Sequence, residues 1–182
     1  IKKINNKNKT KKIFLMKDRD TGQSTSRKVN KLKILLKKNK IDLQLISASE
    51  NIAWLLNIRG YDSQFSPLPN GYLIINEKNK IIFFCDLKKI NKKIKKKFKN
   101  IKIIDIKDIE LFLSKIENKK IQIDIASCSI LFRNLLKKNN KIIEVYDPVY
   151  LMKSIKNKIE IQNIVKSHVY DGSALTKFIF WL

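Results

Sequence analysis

"YLIINEKNKIIFFCD", residues 72–86, decides how this chain is built. Two runs rich in isoleucine and aromatic residues, 72–76 and 81–86, flank the polar "EKNK" at 77–80. Short apolar runs around such a break predict a β-hairpin. Moving upstream, "SENIAWLLN" (49–57) predicts a short helix with Ser49 as its N-cap, and "DLQLIS" (42–47) a strand. Before them, "RKVNKLKILLKKNK" (27–40) puts Val29, Leu32, Leu35 and Leu36 on one face of an amphipathic helix. Ser24 or Thr25 is the candidate cap of that helix.

Downstream, "LKKINKKIKKKFK" (87–99) carries Ile90, Ile94 and Phe98 at helical spacing and reads as a solvated amphipathic helix. Then strands at "IKIIDI", "KIQIDI" and "KIIEVYD" alternate with helices at "DIELFLSKI", "SCSILFRNLLKK" and "PVYLMKSI", the last with Pro148 in its first turn. Strands that alternate with helices predict an α/β fold. The sheet has about six strands and is mixed, because the hairpin supplies an antiparallel pair. Residues 1–24 read as polar and irregular apart from "IFLM" at 13–16, and "RGYDSQFSPLPNG" (59–71) reads as a loop.

The charge balance is lopsided: 40 Lys+Arg against 16 Asp+Glu gives +24 in 182 residues. Sequence-specific nucleic-acid readers lean on arginine, whose fork pairs with bases and phosphates. Here arginine occurs only at 19, 27, 59 and 133, while lysine is spread along the whole chain beside Ile and Asn. That is the residue bias of AT-rich codons. The expectation is salt-sensitive, non-specific attraction to polyanions and no specific nucleic acid. Cys85 and Cys128 lack metal-ligand spacing and read as free buried thiols of a reducing compartment. No apolar stretch approaches the ~20 residues of a membrane span, and no signal-peptide pattern is seen, so the expected location is cytoplasmic.

A catalytic constellation is missing from the sequence. His168 is the single histidine, so no second one shares a metal with it. Four glycines leave no room for a dinucleotide or phosphate loop. Asp42, Asp105 and Asp108 read as caps and loop residues.

The last stretch, from Ile159 to Leu182, predicts one long helix or two end to end. Its apolar stripe is still running at Leu182, with no capping residue beyond it, and the first residue is Ile1. Both ends read as cut, and the chain is expected to be the middle of a longer one. Phe178, Ile179, Phe180, Trp181 and Leu182 fill more than one helix face, so self-association of the isolated chain is expected.

Two stretches carry a resemblance. "SASENIAWLLNIRGYDSQFSPLPNGYLIINEKNKIIFFCD" (47–86) and "DPVYLMKSIKNKIEIQNIVKSHVYDGSALTKFIFWL" (147–182) resemble the aminopeptidase P family, the X-Pro aminopeptidases of the creatinase and prolidase superfamily. The run from Ile52 to Gly60, the loop Ser66-Pro67-Leu68-Pro69 and Asp86 resemble the second domain of that family. Lys156-Asn157, Glu160, His168, Asp171-Gly172, Ala174-Leu175, Phe178 and Trp181-Leu182 resemble the linker and opening helix of its catalytic domain. "TGQSTSRKV" resembles the segment that joins its first two domains.

The resemblance implies a creatinase N-terminal-like α/β domain at 25–152. Residues 1–24 become a linker from a preceding domain, and 153–182 the linker and opening helix of a pita-bread catalytic domain. It implies, for the intact family, cleavage of the peptide bond before a proline at position two. Two divalent ions, usually taken as manganese and held by two Asp, one His and two Glu, do that work there. None of those five ligands has a counterpart in this chain, so the chain alone is expected to be inactive. Its implied partners are the preceding and catalytic domains. Candidate interface or cleft-wall residues are Trp54, Asn57, Arg59, His168 and Asp171; for Arg59 a cleft-wall role and a local helix cap both stand. The alternatives are a stand-alone binding or scaffold remnant, or a basic nucleic-acid-binding domain.

Overall fold

A computed structural model describes residues 12–182 apart from 77 and 79. In chain order the elements are β1 (Phe14–Leu15), α1 (Asp18–Thr21), α2 (Thr25–Lys38), β2 (Leu43–Ile46), α3 (Ser49–Leu56) and β3 (Ile58–Arg59). The hairpin strands β4 (Tyr72–Asn76) and β5 (Ile81–Cys85) follow, then α4 (Lys92–Lys97) and β6 (Lys102–Asp105). The chain continues with α5 (Ile109–Ser114), β7 (Lys120–Asp124), α6 (Ile130–Lys137), β8 (Lys141–Val145), α7 (Pro148–Ser154) and α8 (Lys158–Trp181).

Six strands form one mixed sheet in the order β6-β5-β4-β2-β7-β8. Only β4 is reversed: it is antiparallel to both β5 and β2, while β5–β6, β2–β7 and β7–β8 pair in parallel. Every residue of β5 is buried, as befits a strand covered on both faces. Its side chains alternate between two cores. Phe83 and Cys85 pack with Leu32, Ile52 and Ile94 on one face, and Ile82 and Phe84 with Leu113 and Leu136 on the other. Each fully buried Leu, Ile or Phe contributes roughly 1.5–3 kcal/mol of transfer free energy.

The mixed six-stranded sheet agrees with the sequence reading, and several local details correct it. The lysine-rich segment is not one helix. A 3-10 turn at Leu87–Lys89 ends at Ile90, and Asn91 restarts the helix by accepting a hydrogen bond from the Ile94 amide. Ala48, not Ser49, holds the N-cap position of α3; Ser49 is already helical. Arg59 is no loop residue, for β3 pairs antiparallel with β1 in a two-stranded ribbon. The polar start contains α1, closed by Gly22 in the left-handed region. Residues 1–11, most of the expected linker, and positions 77 and 79 of the hairpin connection lie outside the described residues. Ser24 caps α2, accepting from the Arg27 amide at 3.3 Å.

The two thiols differ. Cys85 is fully buried, and burial, reinforced by Asp86 and Asp105, pushes it up to about 12. Cys128 is only half-buried, which corrects the expectation for it. Ellman's reagent is therefore expected to reach Cys128 at least about 100-fold faster than Cys85 in the folded protein. Equal rates would show that the sheet opens far more readily than its packing implies.

Candidate functional site

A cluster of polar residues gathers at the start of α8, beside α1 and the end of α3. Helix α3 ends at Asn57, which sits in the left-handed region at φ 52° and so turns its side chain back under the helix. Asn57 is buried and fully used. Its Oδ1 accepts from Lys28 Nζ at 2.7 Å, and its Nδ2 donates to the Gln23 carbonyl at 2.8 Å. Two residues on, Arg59 Nη1 donates to the carbonyls of Ala53 (3.2 Å) and Ile58 (2.8 Å). These bonds give Arg59 the local capping geometry.

Trp54 stands between Lys28 and α8. The Lys28 ammonium lies 4.1 Å from the centre of its ring and donates to its carbonyl at 2.9 Å. On the other side the indole Nε1 donates to Glu160 Oε1 at 2.9 Å. Glu160 also accepts from the Asn157 amide through Oε2, while Asn157 Oδ1 accepts from the Ile159 and Glu160 amides. That capping box starts α8. Asn157 Nδ2 reaches across to the Thr21 carbonyl at 2.9 Å, and Asn163 Nδ2 to that of Asp20 at 2.8 Å. A cleft of about 450 Å³ opens beside the cluster, lined by Arg27, Lys31, Trp54, Met152, Lys156 and Glu160 among others.

Lys28 is 1% exposed. Burial pulls it down from 10.5 to about 8, Glu160 and Asp18 opposing and Arg59 assisting. The sequence carries a signal for it. Lys28 falls at the same helical spacing as Leu32 and Leu36, on the apolar face of α2.

Of the five candidates, the structure brings Trp54, Asn57 and Arg59 together. It does not bring His168 or Asp171 to them: both lie exposed on α8, beyond its anchored first turns. From Ile161 to Leu182 every residue of this segment is exposed, the apolar stripe included. Among the described residues no three His, Cys, Asp or Glu side chains come together to hold a metal, and no helix is long and apolar enough to cross a membrane.

A family model described as "Creatinase/Prolidase N-terminal domain" matches residues 5–160. Xaa-Pro aminopeptidase 1 of Dictyostelium discoideum is 35% identical over 173 residues, covering 93% of this chain and 27% of that protein. The chain thus spans about a quarter of the length of this relative. Among solved structures, the X-prolyl aminopeptidase of Caenorhabditis elegans, a cytosolic enzyme with a di-nuclear active site, superimposes with a TM-score of 0.87 at 26% identity. That match covers 94% of this chain and 29% of the enzyme. The N-terminal domain of the cytoplasmic peptidase PepQ of Mycobacterium tuberculosis shares the fold alone, with a TM-score of 0.52 and 13% identity over 68% of this chain and 96% of that one.

Proposed function

The chain belongs to the creatinase/prolidase N-terminal domain family and to its aminopeptidase P group, and from that premise we propose that it is the non-catalytic central domain of a cytosolic X-Pro metalloaminopeptidase. The observation that carries this reading is coverage. Nearly the whole chain superimposes on one enzyme, yet it accounts for 29% of that enzyme. The di-nuclear centre of such an enzyme does not fit the donor set here, since no described trio of His, Cys, Asp or Glu converges. No step of peptide hydrolysis is therefore assigned to this chain's residues.

In this reading residues 25–152 are the α/β domain, and 153–182 form the connection to the catalytic part. The exposed stripe of α8, including Ile164, Leu175 and Phe178, packs against that part. Without such a cover the same stripe favours association between copies. The cluster around Trp54 holds the connection, with Arg59 closing the end of α3. The substrate is a peptide with proline at its second position, cleaved by two divalent ions, manganese by expectation, held in the catalytic part.

A chimera tests the proposal. The matching quarter of the C. elegans enzyme is replaced by this chain. The chimera is expected to keep metal-dependent release of the residue before proline within about tenfold, a loss of ~1.4 kcal/mol or less in transition-state stabilisation. This chain alone, incubated with Mn²⁺ and the same peptide, is expected to release nothing. A folded, metal-loaded chimera without activity, or hydrolysis by the chain alone, overturns the reading.

A further inference from the structure

Beside the first turns of α2 lies a cavity of about 550 Å³, separate from the cleft at Trp54. Thr25, the first residue of this 14-residue helix, lines it and is 9% exposed. Its Oγ1 is sealed from solvent and has no hydrogen-bond partner among the described residues. A buried hydroxyl left in that state costs free energy. The helix start holds two more donors of the same kind. Ser24 takes the Arg27 amide with its Oγ and the Lys28 amide with its carbonyl. The amides of Thr25 and Ser26 have no acceptor among the described residues.

The wall of the cavity is basic. Lys33, two turns along α2, and Lys97, at the end of α4, both line it, and among the described residues no Asp or Glu does. Lys97 also meets Asp18 Oδ2 at 3.7 Å, but the two side chains are 42% and 45% exposed, so solvent keeps that pair weak. Lysine alone marks no site in a chain of +24. Here it stands beside three donors without acceptors, at the positive end of a helix dipole. The floor between them is apolar, made by Val29, Ile81 and Phe98.

We propose that this cavity binds a phosphate group, free or carried by a small molecule. Phosphate offers several acceptor oxygens and a negative charge. It takes the Thr25 hydroxyl and the amides of Thr25 and Ser26 as donors, and Lys33 and Lys97 as countercharge. The space exceeds one phosphate, so a substituent lies over the apolar floor. The site belongs to this chain's own fold and does not rest on the function proposed above.

Calorimetric titration of the full chain tests it, with inorganic phosphate and phenyl phosphate as probes. Physiological salt holds down the general attraction of a basic chain for anions. One saturable site is expected. Thr25→Val is expected to weaken it at least ~10-fold, and Thr25→Ser, which keeps the hydroxyl, to hold it within about threefold. Lys138→Gln, exposed on α6 across the sheet, is expected to change nothing. Tighter binding of phenyl phosphate assigns the site to phosphomonoesters; equal binding assigns it to free phosphate. Urea unfolding without phosphate supplies a second readout. Thr25→Val is expected to be at least as stable as the parent, because a methyl group replaces a hydroxyl without a partner. Added phosphate is expected to stabilise the parent and not the variant. A less stable Thr25→Val overturns the proposal, since the hydroxyl then serves the fold through a bound water. So do the absence of a saturable site and binding that survives Thr25→Val. If Thr25→Val does not fold, Lys97→Gln takes its place, expected to weaken binding about threefold or more. None of these outcomes bears on the chimera.

Discussion

Asp147→Ala is expected to lower the unfolding free energy by about 3–5 kcal/mol. The residue is 2% exposed and ties together three separate parts of the chain. Its Oδ1 accepts from Gln44 Nε2 in β2 at 2.8 Å and from the Val149 amide at 2.9 Å, which caps α7. Its Oδ2 accepts from Asn51 Nδ2 in α3 at 2.8 Å. Alanine removes a helix cap worth about 1 kcal/mol and strands two buried amides at about 1–3 kcal/mol each. Asp147→Asn keeps the shape but turns an amide N–H₂ toward a donor. Burial is the main influence on this carboxyl and raises it above 3.8, Asp124 adding to the shift against the hydrogen bonds. The folded state therefore holds the proton to higher pH than the unfolded one. The proton-linked part of the stability at Asp147 is fully present below 3.8 and declines as pH rises through its folded value, while the hydrogen bonds to Gln44, Asn51 and Val149 remain. The stability difference between the parent and Asp147→Asn, measured by urea unfolding across the acid range, is expected to shrink accordingly. A loss under ~1 kcal/mol in Asp147→Ala at neutral pH would show that water replaces the carboxylate without penalty.

Gly22→Ala is the second large effect, expected at about 2–4 kcal/mol and concentrated on one element. Gly22 closes α1 at φ 68°, a conformation that costs an L-residue about 1–2 kcal/mol. A methyl group there would also meet the Asn157 side chain, 2.8 Å from its Cγ, and lie 2.9 Å from Ile159 Cβ. Overpacking of this kind adds about 1–3 kcal/mol. Moving Asn157 breaks the capping box, so the strain is relieved by lifting the root of α8. Amide protection over residues 158–164 is expected to fall by about 10- to 100-fold while the strands β2, β4 and β5 keep theirs. Uniform loss of protection across the sheet would place Gly22 in the folding core instead.

What the sequence showed and what it hid divide along a physical line. Elements whose burial pattern is local were legible: the short apolar runs of the strands, the face of α2, and the hairpin of β4 and β5. Features decided by distant partners were not. The two-residue ribbon of β1 and β3 has no periodicity to detect. The break at Ile90–Asn91 depends on an asparagine cap that propensity in a lysine-rich run conceals. The sheet order, with β4 reversed between β2 and β5, follows from packing rather than from any segment. At the candidate site, Trp54, Asn57 and Arg59 lie in one run and were found together. Lys28 and Glu160 joined them only because folding brings positions 106 residues apart, Trp54 and Glu160, to 2.9 Å. The Asp147 network was unreadable for the same reason, since its partners sit about a hundred residues upstream.

Helix α8 has 24 residues, so at 1.5 Å per residue it is a rod about 36 Å long. Among the described residues its hydrogen bonds to the rest of the molecule lie at one end. A tilt of ~10° at Asn157 displaces Trp181 by about 6 Å, roughly the width of a side chain, with no bond in the rod itself disturbed. The stiffness of the rod and the shortness of its fastening act together as mechanical gain. A sub-ångström shift of the bonds at the base becomes, at the far tip, a displacement of several ångströms.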